Sequence, residues 1–84
     1  MDIAVEELRN LGPVSAGWLR SVGIRTLSHL KRIGAVEAWF RVREQIPEAG
    51  ASKVLLYALE GALTDMHWAK LPPETKRELQ HAAR

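Results

Sequence analysis

Apolar residues recur at helical spacing along most of the chain, and glycine or proline interrupts the pattern wherever it shifts. Ile3, Val5 and Leu8, with acids at Glu6 and Glu7, predict a short first helix that stops at Asn10 and Gly12-Pro13. Gly12 is free to take positive φ there, and Pro13 suits a first helical turn because no donor is needed at that position. A second helix follows from about Pro13 to Val22, with Val14, Trp18, Leu19 and Val22 as its apolar stripe and Gly23 as its end. Thr26 then reads as an N-cap. Leu27, Leu30 and Ile33 give the third helix one apolar face, with His29, Lys31 and Arg32 turned outward and Gly34 closing it.

Val36, Trp39, Phe40 and Ile46 mark a fourth helix that stops before Pro47, and Glu48-Ala49-Gly50-Ala51 reads as a loop. Ser52 is placed to cap a fifth helix from Lys53 to about Thr64, apolar nearly all round and therefore central to the core. Gly61 inside it costs up to about 1 kcal/mol of helix propensity, so a neighbouring helix is expected to approach closely there. The tail from Pro72 to Arg84 predicts a last, mostly polar helix anchored by Leu79. Strand alternation is absent. The expected fold is all-α, a compact five- to six-helix domain over residues 1–84 with a helix-hairpin-helix-like N-terminal part.

Composition narrows the possibilities further. Eighty-four residues, 46% of them hydrophobic and 26% charged, suffice for one core. Cysteine is absent, which excludes disulfides, zinc-thiolate sites and thiol nucleophiles. The apolar run Val54–Leu59 is far short of the roughly 20 residues a membrane span needs. The N-terminus has no basic region leading into an apolar one, so no signal peptide is read there. A cytoplasmic protein without membrane association is expected.

Net charge is only +2, but it is unevenly spread. Between Arg9 and Arg43 lie Arg9, Arg20, Arg25, Lys31, Arg32, Arg41 and Arg43, against the single acid Glu37. That asymmetry points to an anionic partner, with solvated helix faces as the plainer account.

Catalytic signatures are missing. His29, His67 and His81 are widely separated and lack metal-ligand spacing, while Glu44 and Glu48 flank a helix end. Asp65 and His67 read as a solvated or capping pair. The glycines are scattered singly, so no phosphate-cradling loop exists and no cofactor or metal is expected.

The more specific local signal is Leu8-Arg9-Asn10-Leu11-Gly12-Pro13-Val14-Ser15-Ala16, followed by Trp18-Leu19 and Gly23-Ile24-Arg25-Thr26. It is similar to the helix-hairpin-helix pattern, in which backbone N–H groups at a helix start receive a DNA phosphate. Pro13 occupies the position where DNA-binding hairpins usually carry a second glycine, so a tight connector is the alternative. Arg9, Gly12, Ser15, Arg20, Arg25, Lys31 and Arg32 are the candidate DNA-contacting residues. Ser15 could equally bond its local backbone. Trp18 and Trp39 fall on apolar faces and are assigned to the core rather than to base stacking. Trp68 is expected to pin the chain end against the core, and Tyr57 to be buried with its hydroxyl satisfied.

Together with Ile33-Gly34-Ala35-Val36, Leu55-Leu56-Tyr57-Ala58-Leu59-Glu60-Gly61-Ala62 and Trp68, these stretches resemble the C-terminal domain of the TfoX (Sxy) family over roughly residues 5 to 71. That family comprises bacterial regulators of competence for DNA transformation. The resemblance implies a non-enzymatic module linked to switching on DNA-uptake genes, alongside a cyclic-AMP receptor protein. Longer members carry a separate N-terminal domain, so a stand-alone homologue and an excised piece are both open. Duplex DNA, a transcription factor or a TfoX N-terminal-type domain are the expected partners. A protein-interaction module remains the alternative to a DNA-contacting one.

Overall fold

The computed structural model describes residues 2–84. Five α-helices follow one another: α1 (Pro13–Ser21), α2 (Leu27–Ile33), α3 (Ala35–Gln45), α4 (Lys53–Thr64) and α5 (Pro73–Ala82). Single 3-10 turns lie at Val5–Glu7, Pro47–Ala49 and Trp68–Lys70. No strand occurs among the described residues, and the all-α expectation holds.

The first predicted helix does not form. Ile3 and Ala4 are extended because they pair with the turn before α2. The Leu27 N–H donates to the Ile3 carbonyl at 2.7 Å, and the Val5 N–H to the Arg25 carbonyl at 3.0 Å. Ala4 and Thr26 thus form an isolated antiparallel bridge. Only Val5–Glu7 coils, and it does so to bury Val5 completely. Asp2, at the edge of this pairing, accepts a hydrogen bond from the Ser28 N–H at 3.0 Å and so caps α2 from outside. Thr26 caps the same helix from within, its hydroxyl accepting from the His29 N–H at 3.3 Å.

α4 is the central helix. Leu55, Leu56, Tyr57, Ala58, Leu59, Gly61 and Ala62 are all buried, as the nearly continuous apolar pattern required. Around it pack Leu19 from α1, Ile24 from the turn, Leu30 from α2, Val42 from α3 and Leu79 from α5. Fully burying one such side chain contributes about 1.5–3 kcal/mol. Among the described residues no polar or charged residue is fully buried, so the core is purely apolar. The radius of gyration, 11.5 Å, is that of a close-packed chain of this length.

Three details depart from the sequence reading. Val14 is expected on the apolar stripe of α1, yet it is 65% exposed, and the helix turns Ala16 and Leu19 to the core instead. Ser52 stands at the N-cap of α4 but its side chain makes no cap bond. Gly61 is crowded by a side chain and a loop rather than by a helix. A Cβ placed there would lie 2.5 Å from the Met66 carbonyl and would overlap the Asn10 amide nitrogen.

Asn10 is the cause of that crowding. It adopts φ +73°, a left-handed conformation that asparagine tolerates better than most residues. Its amide nitrogen donates to the Met66 carbonyl at 2.8 Å and to the Ala58 carbonyl at 3.4 Å, and its amide oxygen accepts from the Trp68 N–H at 3.3 Å. One side chain thereby ties the N-terminal segment to the middle of α4 and to the turn beyond it. Gly12, expected to supply positive φ nearby, is extended instead at φ −88°.

Candidate nucleic-acid interface

The candidate residues fall into three groups. Gly12 and Ser15 belong to the start of α1. Gly12 is its N-cap, with no side-chain cap bond and no acid in the first turn. The Gly12 carbonyl accepts from the Ala16 N–H at 2.9 Å. Pro13 occupies the first helical position and has no N–H, and the exposed Val14 stands beside it. Ser15 is half-buried. The element preceding this start is the 3-10 turn Val5–Glu7, so the first arm of the expected hairpin is a single turn rather than a helix. Two full helices flank the Val22–Thr26 connection instead, where Gly23 takes φ +87°.

Arg9 and Arg20 form the second group, and both are already engaged. The Arg20 guanidinium pairs with Glu6 at 2.7 Å, and that of Arg9 with Asp65 at 3.2 Å. Both pairs are exposed, so each is worth less than about 1 kcal/mol and yields readily to another anion. Asp65 itself closes α4 in a left-handed conformation, φ +55°. His67, expected to share a loop with it, accepts from the Ala69 N–H and stacks on Trp68 at 5.8 Å.

Arg25, Lys31 and Arg32 form the third group. All three are exposed, and none has an ion-pair partner among the described residues. Lys31 and Arg32 occupy the last turn of α2, where the negative end of the helix dipole favours cations in any case. α2 carries no acid. Its positive end is neutralised by Asp2, whose carboxyl is lowered from 3.8 to about 2 by hydrogen bonds from the Thr26 hydroxyl and the Ser28 N–H.

Arg9 and Lys31 also meet across a groove of about 360 Å³. Its floor is Ile3, Leu8, Leu27, Ala62 and Leu63, and its rim carries the acids Glu7 and Asp65 beside the two cations. Arg41 and Arg43, the remaining basic residues of the segment, lie elsewhere on α3. Arg41 pairs with Glu37 at 3.3 Å, and Arg43 covers the Trp39 ring at 5.2 Å. The basic segment therefore wraps several surfaces instead of forming one face. Among the described residues no three of His, Asp and Glu gather as metal ligands would.

Comparison with known proteins matches residues 1–83 to the model of the TfoX C-terminal domain. The chain belongs to the TfoX C-terminal domain family. Protein Sxy of Escherichia coli K12 is 32% identical over 75 residues, which are 89% of this chain and 35% of that protein. The chain thus spans about a third of the length of this TfoX-family relative. Two crystal structures from Listeria monocytogenes, each of a protein of unknown function, are similar to this chain in fold. In the triclinic form the TM-score is 0.85 at 36% identity, covering 92% of this chain and 85% of that one. In the tetragonal form it is 0.83 at the same identity, covering 92% and 93%.

The tryptophans and Tyr57 complete the picture. Trp39 is buried and donates its indole N–H to the Ser52 carbonyl at 2.9 Å. Trp18 and Trp68 are half-buried against the core, and Tyr57 is buried with its hydroxyl accepting from Gln80. Asn10 is the residue that sequence reasoning passed over. The sequence marks it only as a helix stop, and its long-range role has no local signal.

Proposed function

We propose that this domain is a binding module in the regulation of DNA-uptake competence, and that it holds the backbone of duplex DNA through Arg25, Lys31 and Arg32. Family membership supports the regulatory role. The observation that carries the DNA reading is the α2 segment, whose three exposed cations form no ion pair among the described residues. Contacts of this kind track phosphates and carry no sequence information. Arg9 and Arg20 are auxiliary, since each must first exchange its carboxylate for a phosphate.

A salt series of fluorescence anisotropy with a labelled duplex tests this. Neutralising about three phosphates gives a log–log slope near −2.7, or roughly a 40-fold loss of affinity between about 50 and 200 mM salt. Replacing Arg25, Lys31 and Arg32 with Ala should remove most of that slope. No binding at about 50 mM salt, or an unchanged slope in the triple variant, sinks the DNA reading.

The groove of Ile3, Leu8, Leu27, Ala62 and Leu63 favours a second reading, in which the domain docks onto a protein such as a transcription factor or a TfoX N-terminal-type domain. An apolar floor with a rim of mixed charge is the usual composition of a protein contact. Chemical-shift changes confined to those five residues on adding such a domain, with no response to DNA, would favour it over the first.

A further inference from the structure

A second cleft, of about 490 Å³, lies on a different part of the molecule between the middle of α3, the start of α4 and the end of α5. Trp39, Arg43, Ser52, Lys53, Gln80 and Arg84 line it. Three of these side chains are cations, no side chain among them is an acid, and none of the three has an ion-pair partner among the described residues. They come from separate helices or helix ends, so the fold alone assembles them.

We infer that this cleft is a binding site for a phosphate monoester, with Arg43, Lys53 and Arg84 as the phosphate-holding residues. Like charges gathered around a concave surface repel one another in the free protein, and an anion relieves that repulsion. Arg43 is held rather than free. Its guanidinium lies over the Trp39 ring at 5.2 Å, and the Trp39 indole is itself fixed by its bond to the Ser52 carbonyl. A stacked guanidinium keeps its edge N–H groups available for the bidentate geometry that suits phosphate oxygens. Lys53 supplies a second charge at the first position of α4, where the positive end of the helix dipole adds to it. The Ser52 hydroxyl, which makes no cap bond, is a further donor at the same point. The cleft volume exceeds what a bare phosphate fills and leaves room for an attached organic group. Gln80 closes the third side, anchored by its bond to the Tyr57 hydroxyl.

The test is an NMR titration of the full chain with inorganic phosphate and with glycerol 1-phosphate, at constant ionic strength. Saturable shifts of the Trp39 indole N–H and of the Ser52 and Lys53 amides are expected, larger in affinity for the monoester. Arg43→Gln and Lys53→Gln should each weaken binding by about tenfold, the usual loss for one charge-assisted hydrogen bond. Neither Lys53 nor Arg84 makes a cation–π contact with Trp39 among the described residues, so Lys53→Gln and Arg84→Gln report on charge even if Arg43→Gln disturbs packing. The Arg25/Lys31/Arg32 variant should bind the monoester as the parent does, which separates this site from the DNA reading. Shifts that rise linearly with concentration, spread equally over α2, or persist in the Lys53/Arg84 double variant would overturn the inference.

Discussion

A single side chain, that of Asn10, meets three backbone groups, one in the middle of α4 and two in the segment after it. Removing it leaves the Met66 carbonyl and the Trp68 N–H half-buried without partners, and alanine at positive φ adds about 1–2 kcal/mol of its own. Asn10→Ala should therefore cost about 2–4 kcal/mol in chemical denaturation. Asn10→Gly, which keeps the conformation and loses only the bonds, should fall between it and the parent. Equal stability of all three proteins would remove the clamp. Asp2 acts in a similar way at the other side of the N-terminal segment. Its carboxyl is depressed to about 2 in the folded state, so the stability it contributes is complete above the ordinary carboxylate range and is lost as pH falls from about 4 towards 2. Thermal melts of Asp2→Asn should show lower stability at neutral pH and a flatter decline across that acid window. A decline as steep as the parent's would assign the acid sensitivity to other carboxylates.

At the scale of elements, two helical glycines separate propensity from packing. Gly17 in α1 faces open space, with nothing within 4 Å of an added Cβ. Gly17→Ala should stabilise the protein by about 0.5–1 kcal/mol through helix propensity alone. Gly61 in α4 has the same propensity to gain, yet its Cβ would collide with Asn10 and the Met66 carbonyl. Overpacking of that kind costs about 1–3 kcal/mol, and the displaced Asn10 bonds add to it. Gly61→Ala should therefore lower the melting temperature while Gly17→Ala raises it. The same contrast explains which elements could be read in advance. α2, α3 and α4 were legible to within a residue or two, because each has an apolar stripe bounded by Thr26, Gly34, Pro47 or the Gly50–Ser52 loop. The segment Ile3–Leu8 was misread because its backbone bonds go to Arg25 and Leu27, partners that no local pattern reveals.

For the molecule as a whole, charge was legible as an amount and not as a shape. Seven basic residues between Arg9 and Arg43 suggest one cationic surface, and the fold distributes them over several. Glu6 and Asp65, outside or at the far end of the chain from their partners, engage Arg20 and Arg9. Arg43 is carried round to join Lys53 and Arg84. Sequence by itself determined the all-α class, the central place of α4 and the family, because these follow from periodicity, from helix punctuation and from ordered motifs along the chain. Only the tertiary structure decided which cations stay unpaired, what Asn10 holds and where clefts open. Those properties depend on distances between residues far apart in sequence, which packing of the helices sets and no local pattern encodes.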